Sequence, residues 1–408
     1  MSNESFIDFN RPSIGEDEIA EVTAVLKSGW LTTGPRTAQF EREFKAYVRA
    51  PHALAVNSCT AGLHLALAAS RIGPGDEVIT TPLTFCATVN TILQVGATPV
   101  LADVDETGNL DPAEIARLIG PRTRAIVPVH LAGLPCDMQA IWGLARAHGL
   151  AVIEDAAHAV GARYQDQPIG GGNPASGACS NAVAFSFYAT KNLTTGEGGM
   201  VTTHDARLFE SMQVLCLHGI DKQAWSRYTE QGNWYYEVVA SGFKYNLSDI
   251  QAALGIHQLR KLESFLDIRT HYARIFHAAF ADVEEIERPP DCVSADCRNA
   301  WHLYMVRLRL ERLDIARAEV IRELKKKGIG TSVHFIPIPI HPYFSARVLG
   351  RNSSYTRALA LYPRLISLPL YPAMSEEQIH YVADALKTVL RSARKSKTVA
   401  ARSLRAAV

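Results

Sequence analysis

Little in this chain points toward a membrane, a nucleic acid or a metal. No apolar run reaches spanning length, because Glu154, Asp155 and His158 break the best candidate. The N-terminus, MSNESFIDFN, lacks a basic stretch followed by an apolar core, so it does not read as a secretory signal. Neither sign of charge is in excess: 42 Lys and Arg stand against 41 Asp and Glu. That balance argues against a general nucleic-acid or membrane-surface role. The seven cysteines include no CxxC pair. An odd, unpatterned set suits reduced thiols in the cytoplasm better than a disulfide framework or a zinc site, and no metal is expected. A GxGxxG fingerprint is missing, which weakens the case for a dinucleotide site. There is no internal repeat.

What is present describes an ordinary globular protein: 408 residues, 47% hydrophobic and 20% charged. That length allows one large domain and a smaller one. Residues 1–12 read as an extended arm. Ser13 and Glu16 have capping-box spacing, and Ile19, Val22, Val25 and Leu26 form one helical stripe ending at Gly29. A second helix is expected from Thr37 to about Arg49. Short apolar strands then alternate with helices: HALAVN, EVIT, TPVLAD, TRAIVPV and LAVIED. This alternation predicts an α/β fold with a mostly parallel sheet covered on both faces. Ligands of such sheets bind at the carboxyl ends of the strands, where Asn57, Asp155 and Ser186 fall. Gly219–Gly242 is a polar-aromatic segment, long enough to be a lid or disordered. A long amphipathic helix begins at Leu247. An α+β unit follows from about residue 300. After Asp384 the chain holds no acidic residue, and its basic end reads as a solvated tail.

Four features converge on the strand ends. NSCTAG, Asn57–Gly62, lies between a strand and a helix, where backbone N–H groups can hold a phosphate or Ser58 can simply cap the helix. Asp155 ends a buried strand with no Arg or Lys close by in sequence, so it either caps a helix or meets a ligand cation such as a pyridinium. Phe85 is placed to stack on a flat ring or to fill a core. Lys191 follows the strand that delivers Ser186; it is either a solvated loop lysine or a desolvated one, where burial lowers the amine's pKa and frees it to attack a carbonyl. A phosphate cup, a stacking aromatic, a pyridine-pairing Asp and a Schiff-base Lys together are what pyridoxal 5'-phosphate (PLP) requires.

These segments, with SGWLTTGP, GDEVITTPLTF, PVHLAGLPCDM, FSFYATKNLTTGEGG, GFKYNLSDIQAALG and HFIPIPIHPYF, resemble the sugar-nucleotide aminotransferases of the DegT/StrS type, over about residues 8 to 390. The resemblance implies a fold type I PLP-dependent transferase with a mostly parallel seven-stranded sheet and a smaller C-terminal α+β domain. It divides the chain into a large PLP-binding domain with its arm (1–265), a small domain (266–390) and a basic tail (391–408). It implies that Lys191 holds the cofactor, that Asp155 pairs with the pyridine nitrogen, and that His158 lies near the ring hydroxyl. Phe85 would stack on the ring, while Cys59, Thr60 and Ser186 hold the phosphate. Asn246 would reach the partner's phosphate in a homodimer with shared active sites. Thr33, Arg227 and His334 resemble positions on the sugar-nucleotide side. The implied reaction moves an amino group from L-glutamate to a nucleotide-linked keto sugar. The look is of enzymes that aminate C4 of a UDP-linked 4-keto sugar on the way to UDP-4-amino-4-deoxy-L-arabinose, although the 221–241 loop departs from it. Other relatives are carbocyclic or aromatic aminotransferases, non-catalytic regulators, or dehydratases that carry histidine in place of the lysine; Lys191 argues against the last.

Overall fold

The computed structural model describes residues 6–395 except 173–176, 178, 222–234, 293 and 349–354. In chain order, the first part holds α1 (Glu16–Ser28), α2 (Pro35–Val48), β1 (His52–Val56), α3 (Cys59–Ala69), β2 (Glu77–Thr80), α4 (Cys86–Gln94), β3 (Thr98–Leu101) and α5 (Pro112–Leu118). It continues through β4 (Thr123–Val127), α6 (Met138–His148), β5 (Ala151–Asp155), β6 (Arg163–Tyr164), β7 (Gln167–Pro168), β8 (Ala182–Ser186), β9 (Gly199–Thr203) and α7 (Ala206–Cys216). The rest comprises α8 (Asp249–Ala279), β10 (Ile286–Glu287), β11 (Tyr304–Leu308), α9 (Arg317–Lys326), α10 (Pro342–Ser345), α11 (Thr356–Leu361), β12 (Leu365–Leu368) and α12 (Glu376–Ser392).

The expected seven-stranded sheet is present, in the order β1-β9-β8-β5-β4-β2-β3. Only β9 runs against the others. Strand β8 shows why the sheet is buried on both faces. Val183 and Phe185 enter one core with Phe40 and Phe44, while Ala182 and Ala184 enter the opposite core with Val56 and Leu63. The six parallel strands deliver their last residues to one edge, so Asp155 and Ser186 meet there, beside the start of β9.

A second sheet, β10-β11-β12, forms its own core with α9 and α12. Helix α8 joins the two units. Its first half buries Ile256 and Leu262 against the large sheet; its second half buries Tyr272 and Phe276 against the small one. Gly255 lets α8 approach closely, since a Cβ there would lie 2.6 Å from the Phe40 ring. Ser248 and Gln251 cap α8, and the Asp249 carboxylate accepts from the Gly34, Arg36 and Thr37 N–H groups at 2.8–3.0 Å. It thereby caps α2 as well.

Three local expectations change. Helix α1 starts at Glu16 behind Gly15, whose N–H donates to Glu18 (2.9 Å), rather than behind Ser13. Glu18 is buried and held by Lys261 and Gln258 at 2.8 Å, so tertiary bonds move the start. Cys292 and Cys297 form a disulfide, and five cysteines remain free. A turn bringing two thiols together cannot be read from spacing alone. Of the residues assigned to the tail, 391–392 end α12 and 393–395 dock after it, with Arg394 paired to buried Glu285. The remainder of the tail lies outside the described residues.

Candidate active site

Seven of the sequence-predicted residues share the wall of one cavity of about 450 Å3: Cys59, Thr60, Asp155, His158, Ser186, Lys191 and His334. Phe85 is the eighth. The cavity floor is the strand-end edge of the large sheet. Its roof comes from the small unit and the N-terminal arm.

Lys191 sits in the turn after β8, its N–H bonded to the Tyr188 carbonyl (2.9 Å). Its partial exposure is to the cavity, and the amine is otherwise enclosed by protein. Burial brings its pKa down to about 8, with Asp155 pulling the other way. Lys191 makes no ion pair among the described residues. At neutral pH a useful fraction of this amine is unprotonated.

Asp155 is buried at the end of β5. Thr88 Oγ1 donates to its Oδ2 (2.7 Å) and the Ala157 N–H to its Oδ1 (3.1 Å). Thr84, on the cavity wall, lies 2.8 Å from the Thr88 hydroxyl and completes a short hydroxyl chain. Burial raises the Asp155 pKa, and the Thr88 and Ala157 bonds and the Lys191 charge oppose it. No Arg or Lys forms an ion pair with it among the described residues. No helix follows Asp155 before β6, so it caps none. A buried carboxylate without a protein cation suits a cationic ligand.

The N-terminus of the eleven-residue α3 opens onto the same cavity. Ser58 caps it, its Oγ accepting from the Ala61 N–H (3.1 Å). Strand β9 passes close behind: a Cβ on Gly199 would lie 2.6 Å from the Ser58 carbonyl carbon. Free backbone N–H groups with the Thr60 and Ser186 hydroxyls make an anion cup. The Cys59 thiol is held well above its usual pKa by burial and by Asp155, so it stays protonated. Phe85 is 59% exposed, leaving its ring available in this chain. A buried amine, a carboxylate lacking a cation and a cup for phosphate fit PLP.

Three histidines line the upper part of the cavity: His302 and His334 of the roof, and His158, which rises from the end of β5 to meet them. Burial holds all three below their usual pKa, His334 at about 4, so each is neutral at pH 7. His334 bonds Ser367 Oγ through Nδ1 (2.8 Å) and stacks on Phe9 of the arm (5.5 Å). Phe335 stacks on His158 (5.7 Å) and lies 6.0 Å from the Phe85 ring.

Thr33 and Asn246 do not line the cavity. Asn246 Nδ2 donates to Thr33 Oγ1 (2.7 Å), and Lys244 Nζ donates to Asn246 Oδ1 (2.6 Å). Arg227 lies outside the described residues. Sequence reasoning missed Thr88, His302 and Phe335. Thr88 lies in the first turn of α4, just after the Phe85 that the sequence did single out, whereas nothing local marks His302 or Phe335.

The model of the DegT/DnrJ/EryC1/StrS aminotransferase family matches residues 12–387. The chain belongs to this family. Its members are PLP-dependent enzymes, and the resemblance drawn from the motifs holds. The chain is 49% identical to the spore coat polysaccharide biosynthesis protein SpsC of Bacillus subtilis, over 95% of this chain and 98% of SpsC. It is similar to Spr1654 of Streptococcus pneumoniae, described as a sugar aminotransferase and solved in PLP and PMP forms. The PLP form gives a TM-score of 0.85 at 32% identity, covering 95% of this chain and 99% of that one. Helicobacter pylori PseC, an aminotransferase in pseudoaminic acid biosynthesis, gives 0.85 at 30% identity, covering 95% and 100%. The fold is therefore fold type I, and this family member is a sugar aminotransferase of the PLP type.

Proposed function

We propose that this enzyme moves an amino group from L-glutamate to the C4 keto carbon of a nucleotide-linked keto sugar destined for a surface polysaccharide. The observation that carries the amine chemistry is the Lys191 amine and the Asp155 carboxylate facing one cavity. The likeness to SpsC and PseC supports a sugar acceptor made for polysaccharide or related glycans.

PLP, when bound, supplies an electron sink. Each protein group then has a task. The N-terminus of α3, with Thr60 and Ser186, binds the phosphate. Asp155 stays ionised and holds a proton on the ring nitrogen, and Thr88 orients it. Lys191 Nζ, unprotonated, takes the proton from Cα of the amino donor; in the second half it returns a proton to the sugar carbon. The roof closes the site from water with Leu303, Phe335 and Leu370.

The active form is a C2 dimer in which Asn246 completes the partner's phosphate cup. Three facts support this. Asn246 and Thr33 bond to each other and do not line the cavity of their own chain. Trp30, whose indole donates to the Thr33 carbonyl (3.1 Å), is exposed, and so is Leu31. Exposed aromatic and aliphatic groups of this kind mark contact surfaces.

A screen of UDP- and dTDP-linked 4-keto sugars with L-glutamate tests the proposal, with the product identified by mass and NMR. Amination at C4 is expected. Turnover only on non-nucleotide ketones, or amination at another carbon, would contradict it.

A further inference from the structure

Two rings meet above the cavity, His158 and His302, with centroids 4.4 Å apart and planes tilted by 43°. Both are neutral, so each presents one N–H and one lone pair. Their neighbours decide which nitrogen carries which. The Ala132 N–H donates to His158 Nδ1 (3.3 Å), so the proton of that ring is on Nε2. Asn192 Nδ2 donates to the Ala300 carbonyl (2.8 Å), which fixes the orientation of that amide. Asn192 Oδ1 therefore faces His302 Nδ1 (3.2 Å). Two acceptors cannot bond, so His302 Nδ1 carries the proton and Nε2 keeps the lone pair. His302 lines the cavity, and its Nε2 has no hydrogen-bond partner among the described residues. The roof thus shows a donor on one ring and an acceptor on the other.

The carbonyl of His302 is fixed as well. The buried Arg269 guanidinium donates to the Trp301, His302 and Leu370 carbonyls at 2.7–3.3 Å. The ring is held from its backbone and from Nδ1, which leaves only Nε2 for a ligand.

We propose that His302 Nε2 accepts a hydrogen bond from a hydroxyl of the sugar acceptor and so helps select it. The inference rests on the sugar-aminotransferase reading above. A carboxylate offers no proton to this lone pair and is disfavoured there. The amine of the donor has to sit at the floor, beside Lys191. A keto sugar carries hydroxyls next to its carbonyl, and on the roof these meet a neutral acceptor at His302 Nε2.

The test separates the two half-reactions of the holoenzyme in single turnover. One uses L-glutamate; the other uses a panel of UDP- and dTDP-linked 4-keto-6-deoxy sugars with the amine-loaded enzyme. His302→Asn keeps a donor for Asn192 and deletes the acceptor. Half-saturation for the sugar is expected to rise about tenfold, with its limiting rate and the glutamate half-reaction changed less than about threefold. His302→Gln, whose Oε1 reaches toward the Nε2 position, is expected to recover most of that loss. An unchanged sugar affinity in His302→Asn overturns the proposal. So does an equal loss in both half-reactions, or no recovery with Gln. If the unmodified enzyme reacts with glutamate but with no sugar of the panel, the sugar reading itself fails, a result separable from the others.

Discussion

The floor of the cavity comes from one continuous sheet and carries charge at Asp155 and Lys191; the roof comes from residues 302–303, 334–335 and 368–370 and carries none at neutral pH. The floor groups are fixed by strand ends and a helix N-terminus. The roof groups are rings and aliphatic side chains brought in by a second unit across α8. The contrast teaches where each half of the task resides. Proton transfer needs buried charge at short range, and the floor has it. The discrimination between acceptors proposed for the roof needs shape and neutral hydrogen-bonding groups, and the roof residues are of that kind.

Breaking the floor should hurt most. Lys191→Ala removes the amine proposed to move the proton, and the glutamate half-reaction should slow by about 10^4-fold. Rapid-mixing absorbance of the loaded enzyme checks this, and near-normal rates would remove Lys191 from the chemistry. Asp155→Asn comes next. Stranding one member of a buried charge pair costs about 4 kcal/mol, so the same half-reaction should fall roughly a thousandfold. A role for Asp155 confined to local backbone bonding would leave that rate nearly intact.

The floor also sharpens the comparison through stability. Lys191 titrates near 10.5 in the unfolded chain and about 8 in the folded one. Between those values the unfolded chain binds more protons, so apoprotein stability rises with pH across that window. Below pH 8 the cost of the buried charge is fully present. Lys191→Met should therefore stabilise the apoprotein there by up to about 3 kcal/mol, a gain that fades as pH approaches 10.5. Urea unfolding at several pH values measures it. A flat difference across pH would mean the amine is not buried.

The roof should give the smallest change, confined to the sugar. Phe335→Ala deletes ring contacts with His158 and Phe85. Aromatic pairs of this kind contribute about 0.5–1.5 kcal/mol, so sugar affinity should fall about three- to tenfold while the glutamate half-reaction is nearly unchanged. Equal damage to both half-reactions would dissolve the division between floor and roof.

The same division decided what the sequence could say. Asp155, Ser186 and the NSCTAG turn announce themselves locally, since each ends a buried apolar strand. Lys191 follows such a strand by a few residues. The alternation of strands and helices also gave the sheet its type. His302 and Phe335 have no such marker. They reach the cavity because β11 pairs with β12 and the bridge between Ser332 and Ser367 turns residues 334–335 inward. His334 was found only through the family's pattern. Gly15 in place of Ser13 as the first cap, and the Cys292–Cys297 bond, likewise depend on contacts remote in sequence or on loop geometry.

The most direct measurement is chemical. Apoprotein is loaded with PLP, treated with borohydride, digested and mapped by mass spectrometry. The pyridoxyl group is expected on the peptide containing Lys191, and Lys191→Ala should abolish the label. A label on another lysine in the unmodified protein, or none at all, would contradict the floor as the seat of the chemistry.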